Sequence, residues 1–270
     1  MLLRMSVKTI FAEIFHDMDI SRINLPIVDS TNTFIREMLA EESTGQCISA
    51  SALPGLTVVT AEVQTAGRGQ QGNGWESERG KNITFSMLCH PTFVAPSRQF
   101  LLSQCIALAV QQTLSEYVDG VKVKWPNDIY VGDRKISGTL IECDLQGKSI
   151  ANCIIGTGVN INQTTFLSSA PNPVSLKQLT GKDHDTEQVL TAIVHRFAEL
   201  YEQLQNGGEQ AIRQAYMAAL YRAEGMHQYE DVRGRFMAEI AGIEPTGHLL
   251  LRFDNGNVVR YEFKEVKFIL

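Results

Sequence analysis

Hydrophobic positions along the first part of the chain predict strands that alternate with helices. Apolar runs at 58–63 and 83–88 are typical of buried strands. Apolar side chains recur at helical spacing in 31–40 and 96–110, where a Ser-Thr-Asn run and a Pro-Ser pair provide starting signals. We therefore predict two strands and two helices in this part of the chain.

The middle of the chain carries the pattern of an antiparallel meander. Short apolar runs at 121–125, 129–131, 136–143 and 150–161 are separated mainly by Gly-Asp and Gln-Gly turn signals. The segment 163–174 that follows is rich in Ser, Thr, Asn and Pro and has little periodicity, so we predict a loop there.

The pattern changes again towards the end of the chain. Helical spacing at 186–204 and 209–220 predicts two more helices. After Gly225 three short strands are predicted between 236 and 263, with an Asp-Asn-Gly hairpin signal between the last two. So small a unit has a marginal core of its own, and we expect a small β-barrel docked on a larger α+β domain.

Composition excludes several classes of protein. The 270 residues are 44% hydrophobic and 20% charged, as in ordinary soluble globular proteins. A net charge of −6 provides no general reason to bind nucleic acid. No apolar run is long enough to cross a bilayer, and none of the five cysteines forms a Cys-x-x-Cys pair. We therefore expect a cytoplasmic protein with reduced thiols and no membrane partner.

The glycine-rich segment 67–75, called the glycine loop below, is the first candidate for chemistry. Its backbone can expose rows of N–H groups that cradle an anion, and it follows a predicted buried strand. The alternative is a glycine-rich hairpin connection. Arg68 and Trp75 within the loop favour a site for a nucleotide or a small acid.

Two further clusters carry charge at predicted strand ends. The run 124–128 places a lysine, an amide and a carboxylate around a proline turn, which suits a polyphosphate with Mg²⁺ but also an ordinary solvent-facing turn. Lys135 either points into a site or lies on the surface beside a hairpin turn. Residues 30–32 cap a helix and can also bind a polar ligand. Without a nucleophile motif, positioning and charge stabilisation fit this inventory best.

Taken in order, these motifs make the chain resemble the biotin protein ligases from about residue 23 to residue 270. They are Asp29-Ser30-Thr31-Asn32; Gln64 with Gly67-Arg68-Gly69-x-x-Gly72; Lys124-Trp125-Pro126-Asn127-Asp128; Arg134-Lys135-x-x-Gly138-x-Leu140-x-Glu142; and Gly156-x-Gly158-Val159-Asn160. The resemblance implies a catalytic domain of the biotin/lipoate ligase type at 1–222, with a mixed or antiparallel sheet. It also implies a small SH3-like C-terminal β-barrel at 223–270.

The resemblance implies a two-step reaction in one pocket. The biotin carboxylate attacks the α-phosphate of ATP, with Mg²⁺ neutralising charge, and forms biotinyl-5′-AMP and pyrophosphate. A lysine of a biotin carboxyl-carrier domain then displaces AMP. Relatives occur as monomers and as dimers, and we expect a homodimer here.

Site residues follow from the resemblance, position by position. Those expected to be catalytic are Lys135, Lys124 and Arg68. Those expected to bind biotin are Ser30, Thr31, Asn32, Gln64, Gly67, Arg68, Gly69, Gln70, Lys135 and Gly138. Those expected to bind ATP are Trp75, Lys124, Asn127, Asn160 and Asn73. Asp128 is expected to hold Mg²⁺ or to orient Lys124.

The chain departs from the family pattern in two respects. Many relatives carry arginines where this chain has Gln70, Gln71 and Asn73, so phosphate binding relies on other groups. Only about twenty residues precede the first motif, too few for the winged helix of the relatives that repress genes, so we expect a monofunctional ligase without operator binding. The alternatives are a lipoate–protein ligase and a non-catalytic regulator that binds biotin or nucleotide.

Overall fold

The computed structural model describes residues 20–43, 55–69, 74–167 and 172–270. Seven of the described strands form one mixed sheet. They are β1 (Ile20–Val28), β2 (Leu56–Gln64), β3 (Ile83–Cys89), β4 (Val121–Lys124), β5 (Asp128–Val131), β6 (Arg134–Gln146) and β7 (Ser149–Val159). Their order across the sheet is β1-β2-β3-β7-β6-β5-β4. Only β1 and β2 pair in parallel, so the predicted meander is confirmed for β4 to β7.

Helices cover both faces of this sheet. They are α1 (Thr31–Ser43), α2 (Phe100–Leu114), α3 (Leu176–Thr180), α4 (Thr186–Gln205) and α5 (Glu209–Ala219). A 3-10 turn at Pro96–Arg98 leads into α2, which packs against α4 and α5. None of the helices in the described part of the chain combines the length and apolarity needed to cross a membrane.

A second, five-stranded antiparallel sheet follows α5. Its strands are β8 (His227–Asp231), β9 (Gly234–Ile243), β10 (Leu249–Phe253), β11 (Val258–Tyr261) and β12 (Lys267–Phe268), in the order β11-β10-β9-β8-β12. The predicted Asn-Gly hairpin joins β10 to β11, with Gly256 at φ +83°. A mixed sheet with helices and a small C-terminal antiparallel sheet together confirm the predicted fold class.

The central strand β3 divides the core into two parts. All seven of its residues are buried, and successive side chains of a strand point to opposite faces. Phe85 and Met87 join the main core, which includes much of α2. Leu88 joins a smaller cluster with Ile35 of α1. We call the second side of the sheet the α1 face.

Aromatic contacts dock the second sheet on the first. The Trp125 indole N–H donates a hydrogen bond to the Gly247 carbonyl (2.8 Å), and its ring centroid lies 5.3 Å from that of Phe263. Phe100 of α2 packs against Phe263 as well (6.3 Å). Buried residues of both sheets form one hydrophobic cluster, and the boundary between 222 and 223 stays a prediction.

Four elements of the structure were not predicted from the sequence. Strand β1 contains Pro26 and lies at the sheet edge, where proline is tolerated because one side of the backbone is unpaired. Strands β8 and β12 are short and mostly polar, so alternation is hard to read in them. Helix α3 begins with a capping box formed by Ser175 and Gln178, a sequence signal that was not recognised in the prediction.

We expect Gly247→Ala to destabilise the protein more than Gly256→Ala. Both glycines have positive φ, a conformation that costs other residues about 1–2 kcal/mol. Only at Gly247 (φ +95°) would an added Cβ also clash with an aromatic ring, because it would lie 2.7 Å from Phe100. Overpacking there adds about 1–3 kcal/mol. Urea unfolding of both variants measures the difference. Equal losses would contradict the proposed tight docking at Gly247.

Candidate active site

A cavity of about 640 Å³ opens between the α1 face of the first sheet and the end of the second sheet. Strand β7 explains why it lies there. Ile155 and Val159 point into the main core, whereas Gly156 and Gly158 line the cavity. The alternation of the strand therefore leaves room on one face while it fills the core on the other.

A chain of hydrogen bonds fixes the neutral end of the cavity. The Thr31 amide donates to Gln64 Oε1 (2.8 Å), and the Thr31 hydroxyl lies 2.6 Å from that of Ser86. Ser86 Oγ in turn donates to Asn32 Oδ1 (2.5 Å). The Thr31 hydroxyl also lies within hydrogen-bond distance of Gln64 Oε1 (3.2 Å), so these four side chains form one connected network. The start of α1 is thereby tied to β2 and β3 by buried, satisfied groups.

Two glycines of β7 make space for side chains of the site. A Cβ at Gly156 would overlap the Asn32 amide, and one at Gly158 would overlap the Trp75 ring. The Trp75 indole N–H is buried and has no hydrogen-bond partner among the residues that the structure describes. Such a buried, unpartnered donor is unusual in a folded protein.

Lys135 faces the cavity and pairs with a carboxylate. Its Nζ lies 2.6 Å from Asp128 Oδ1, and the two side chains are 24% and 18% exposed. Gly138 lies beneath this pair, because a Cβ there would approach Lys135 Nζ to 3.0 Å and Asp128 Oδ1 to 3.2 Å. The resemblance places Gly138 among the residues expected to bind biotin. The structure indicates that it makes room for the ion pair.

Lys124 is the second cation of the cavity and lies between two aromatic rings. Its Nζ is 5.0 Å from the ring centroids of both Tyr130 and Phe268. Burial lowers the pKa of Lys124, although the Asp128 charge acts in the opposite direction. A partly desolvated ammonium of this kind is well suited to bind an anion.

Glu142 of β6 joins the neutral network to the glycine loop. Its Oε2 accepts from Asn32 Nδ2 (2.8 Å), and its Oε1 accepts from the Arg68 guanidinium (3.1 Å). Arg36 of α1 adds a contact of 3.2 Å to the same oxygen. Burial acts to raise the pKa of Glu142, but the Asn32 hydrogen bond and the two arginine charges outweigh it and lower that pKa.

Most of the predicted site residues meet at this cavity. Those that line it are Ser30, Thr31, Asn32, Gln64, Arg68, Gly69, Trp75, Lys124, Asn127, Asp128, Lys135 and Gly138. Gln70, Gln71 and Asn73 lie outside the described residues. The structure supports the hypothesis that Lys135 points into the site over the alternative that it lies on the surface beside a hairpin turn.

Two predicted residues do not line the cavity. Gly67 is needed for close backbone packing, because its carbonyl accepts from the Trp75 amide (2.9 Å) and a Cβ there would lie 2.5 Å from Trp75 O. Asn160 is buried behind the site, where its amide donates to Val174 O (3.1 Å). The geometry gives both residues structural contacts, and their contacts with ligand stay predictions.

The sequence analysis missed the contribution of the chain's last residues. Lys264, Val266, Lys267, Phe268 and Leu270 line the cavity together with the first sheet. The Lys267 side chain also reaches Glu230 Oε1 at 3.4 Å. No sequence signal links a two-residue strand to a pocket in another sheet, because the contact depends on how the sheets dock.

Comparison with known proteins identifies the family. The profile of the biotin/lipoate A/B protein ligase family matches residues 25–160. The bifunctional ligase/repressor BirA of Escherichia coli (strain K12) is 31% identical over 186 residues, 66% of this chain and 54% of that protein. The biotin–[acetyl-CoA-carboxylase] ligase of Paracoccus denitrificans is 29% identical over 217 residues, 78% of this chain and 90% of that protein.

A solved structure agrees with these sequence matches. The biotin protein ligase of Aquifex aeolicus in complex with biotin and ATP superposes with a TM-score of 0.72 at 25% identity, covering 92% of this chain and 99% of that one. The chain spans between about half and two thirds of the length of the first curated relatives, 54% for E. coli and 63% for Bacillus subtilis. Since the profile covers about half of the chain and the fold agrees over nearly all of it, this chain belongs to the biotin/lipoate A/B protein ligase family.

Proposed function

We propose that the chain attaches biotin to a lysine of a biotin carboxyl-carrier domain, using ATP and a biotinyl-5′-AMP intermediate. One observation carries this proposal: a single cavity of about 640 Å³ has a neutral hydrogen-bonding end and a cationic end. That volume lies within the range of small-molecule sites. The two ends suit an uncharged ring head with its carboxylate tail beside a polyphosphate.

The neutral end supports biotin binding. Ser30, Thr31 and Asn32 are each only 3% exposed and stand at the start of α1, with Gln64 bonded to Thr31. Groups already fixed by mutual hydrogen bonds lose little freedom when a ligand binds. We assign the ureido ring to this end and the carboxylate of biotin to the side near Lys135.

The cationic end supports ATP binding without the basic residues missing from the glycine loop. Lys124 and Lys135 line it, and Lys264 and Lys267 from the end of the chain bring two more positive charges to the same cavity. Phosphate oxygens are good partners for such charged donors. We propose that the two late lysines compensate for the neutral residues at 70, 71 and 73.

Trp75 supports an adenine site between these two ends. Its ring lies over Gly158 of β7, and Lys135 Nζ is 5.9 Å from the ring centroid. The ring provides a surface on which adenine can stack.

Chemistry in this site requires positioning and charge stabilisation. A biotin carboxylate oxygen forms a bond to the α-phosphorus of ATP, and the bond from that phosphorus to pyrophosphate breaks. The amine of the acceptor lysine then bonds to the acyl carbon, AMP leaves and the amine loses a proton. Lys135 is placed to neutralise charge on the carboxylate and on the transferring phosphoryl group.

We propose Mg²⁺ as the metal of the first step, where it would neutralise phosphate charge. The residues fit a metal held mainly by the nucleotide: Asp128 is a carboxylate on the cavity wall, and the described residues contain no cluster of three His, Cys, Asp or Glu side chains. Mg²⁺ commonly uses one or two carboxylates together with substrate phosphates. Asp128 Oδ1 pairs with Lys135 Nζ (2.6 Å), so Mg²⁺ would share this carboxylate with the lysine.

Two further proposals concern the setting of the enzyme. The four described cysteines are free, which supports the cytoplasm as its compartment. We also propose a homodimer formed along β1, an edge strand that pairs on one side only among the described strands.

Incubation with ATP, Mg²⁺ and a carrier domain, with either biotin or lipoate, tests the function directly. Mass spectrometry should show the carrier gaining one biotinyl group, with pyrophosphate and AMP released. Transfer of lipoate instead would favour the lipoate–protein ligase. Binding of biotin without transfer would favour the non-catalytic regulator.

Replacing Lys135 should slow the first step. We expect Lys135→Ala to lower the rate of adenylate formation by about 10²–10³-fold, because one electrostatic stabiliser of the transition state is lost. Pyrophosphate release in single-turnover experiments measures this rate. Lys148→Ala, an exposed lysine in the turn between β6 and β7, is the matched control and should react normally. Normal adenylation by Lys135→Ala would remove this residue from the mechanism.

The two glycines of β7 should separate the two ligands. Gly156→Ala displaces Asn32 and should weaken biotin binding, whereas Gly158→Ala displaces Trp75 and should weaken ATP binding. We expect the dissociation constant for the affected ligand to rise about tenfold or more in each case, the equivalent of about 1.4 kcal/mol. Calorimetric titration of each variant with each ligand measures four affinities. Loss of the same ligand in both variants would refute this division of the cavity.

A further inference from the structure

We propose that Glu142 is a positioning residue that holds Arg68 of the glycine loop and Asn32 of α1 in the arrangement that receives biotin. This inference rests on the proposed function for its consequence, but its structural part can be tested without any ligand. Glu142 does not itself line the cavity, whereas both of its partners do. Its influence must therefore pass through them.

The two carboxylate oxygens serve different elements. Oε2 accepts from Asn32 Nδ2 at 2.8 Å, and Oε1 accepts from Arg68 at 3.1 Å. Strand β6 therefore binds both the start of the helix and the base of the loop through one side chain that is only 19% exposed. Hydrogen bonds to a charged acceptor are roughly twice as strong as neutral ones.

Asn32 has little freedom once Glu142 is in place. Its Nδ2 donates to Glu142, its Oδ1 accepts from Ser86, and the missing side chain of Gly156 leaves the space that its amide occupies. Without Glu142 the amide loses one of the two hydrogen bonds that orient it, and only the bond from Ser86 to Oδ1 remains. Arg68 is 45% exposed, and its one described carboxylate contact is Glu142.

A glutamine at 142 cannot replace the carboxylate. Its single carbonyl oxygen could accept from Asn32 or from an arginine, and its amide hydrogens would face other donors. Asp144 offers the matched control on the same strand. Asp144→Asn removes a carboxylate that lies 3.7 Å from Arg36 and has no described contact with Arg68 or Asn32.

Limited trypsin digestion tests the structural part on the ligand-free protein. Glu142→Gln should accelerate cleavage after Arg68 about tenfold, since release of one charged hydrogen bond raises the open population by that order. Cleavage after Arg79, which pairs with Glu62 at 2.9 Å, serves as the internal reference and should not change. Acceleration at both sites would indicate general unfolding and overturn the positioning role, as would an unchanged rate at Arg68.

A double-mutant cycle tests the consequence for biotin. Glu142→Gln should raise the dissociation constant for biotin about tenfold, and Asp144→Asn should leave it near the original value. Because Glu142 acts partly through Arg68, the variant with both Glu142→Gln and Arg68→Ala should lose less than the product of the two single losses. Arg68→Ala alone measures the whole contribution of Arg68 to biotin affinity, against which the cycle measures the part that depends on Glu142.

The two experiments separate the inference from the proposed function. If the original protein binds no biotin, the proposed function fails, and the digestion still decides whether Glu142 holds the loop. If biotin binds and the cycle is strictly additive, Glu142 does not act through Arg68 and the inference is wrong.

Discussion

Side-chain alternation in the central sheet is the constraint on which the site depends. Each of the inner strands places one set of residues in the main core and the other set on the α1 face. On β7 the first set includes Ile155 and Val159, and the second includes Gly156 and Gly158. The same strands therefore supply both the rigidity of the core and the space of the cavity. A change in strand register would disrupt the core and the cavity together.

Three glycines shape the site as much as its functional groups do, because they have no side chains. Gly138, Gly156 and Gly158 each leave a volume that a neighbouring polar or aromatic side chain occupies. Gly138 and Gly158 are direct partners across β6 and β7, so the vacant positions form a continuous patch. The Asn32 amide and the Lys135–Asp128 pair over this patch are held by hydrogen bonds or an ion pair without a ligand, which favours preorganised binding.

The sequence could predict what depends on neighbouring residues. Strands β2 to β7, the helices with clear periodicity and the grouping of twelve site residues follow from local patterns and ordered motifs. It could not predict which charged groups meet. The partner of Asp128 is Lys135 through a register shift between β5 and β6, although Lys124 is also nearby in the sequence. Nor could it predict that β12 reaches the cavity, because docking of the two sheets decides that contact.

The position of Phe268 has a thermodynamic consequence. Its ring contacts the Lys124 ammonium from the second sheet, and Tyr130 contacts the same ammonium from the first. Docking of the second sheet and binding of an anion to Lys124 thus share one group, so their free energies are linked. This linkage is reciprocal. If docking of the second sheet raises the anion affinity by some factor, anion binding raises the equilibrium constant for docking by the same factor. The second sheet therefore acts as an effector of the site, although both belong to the same chain.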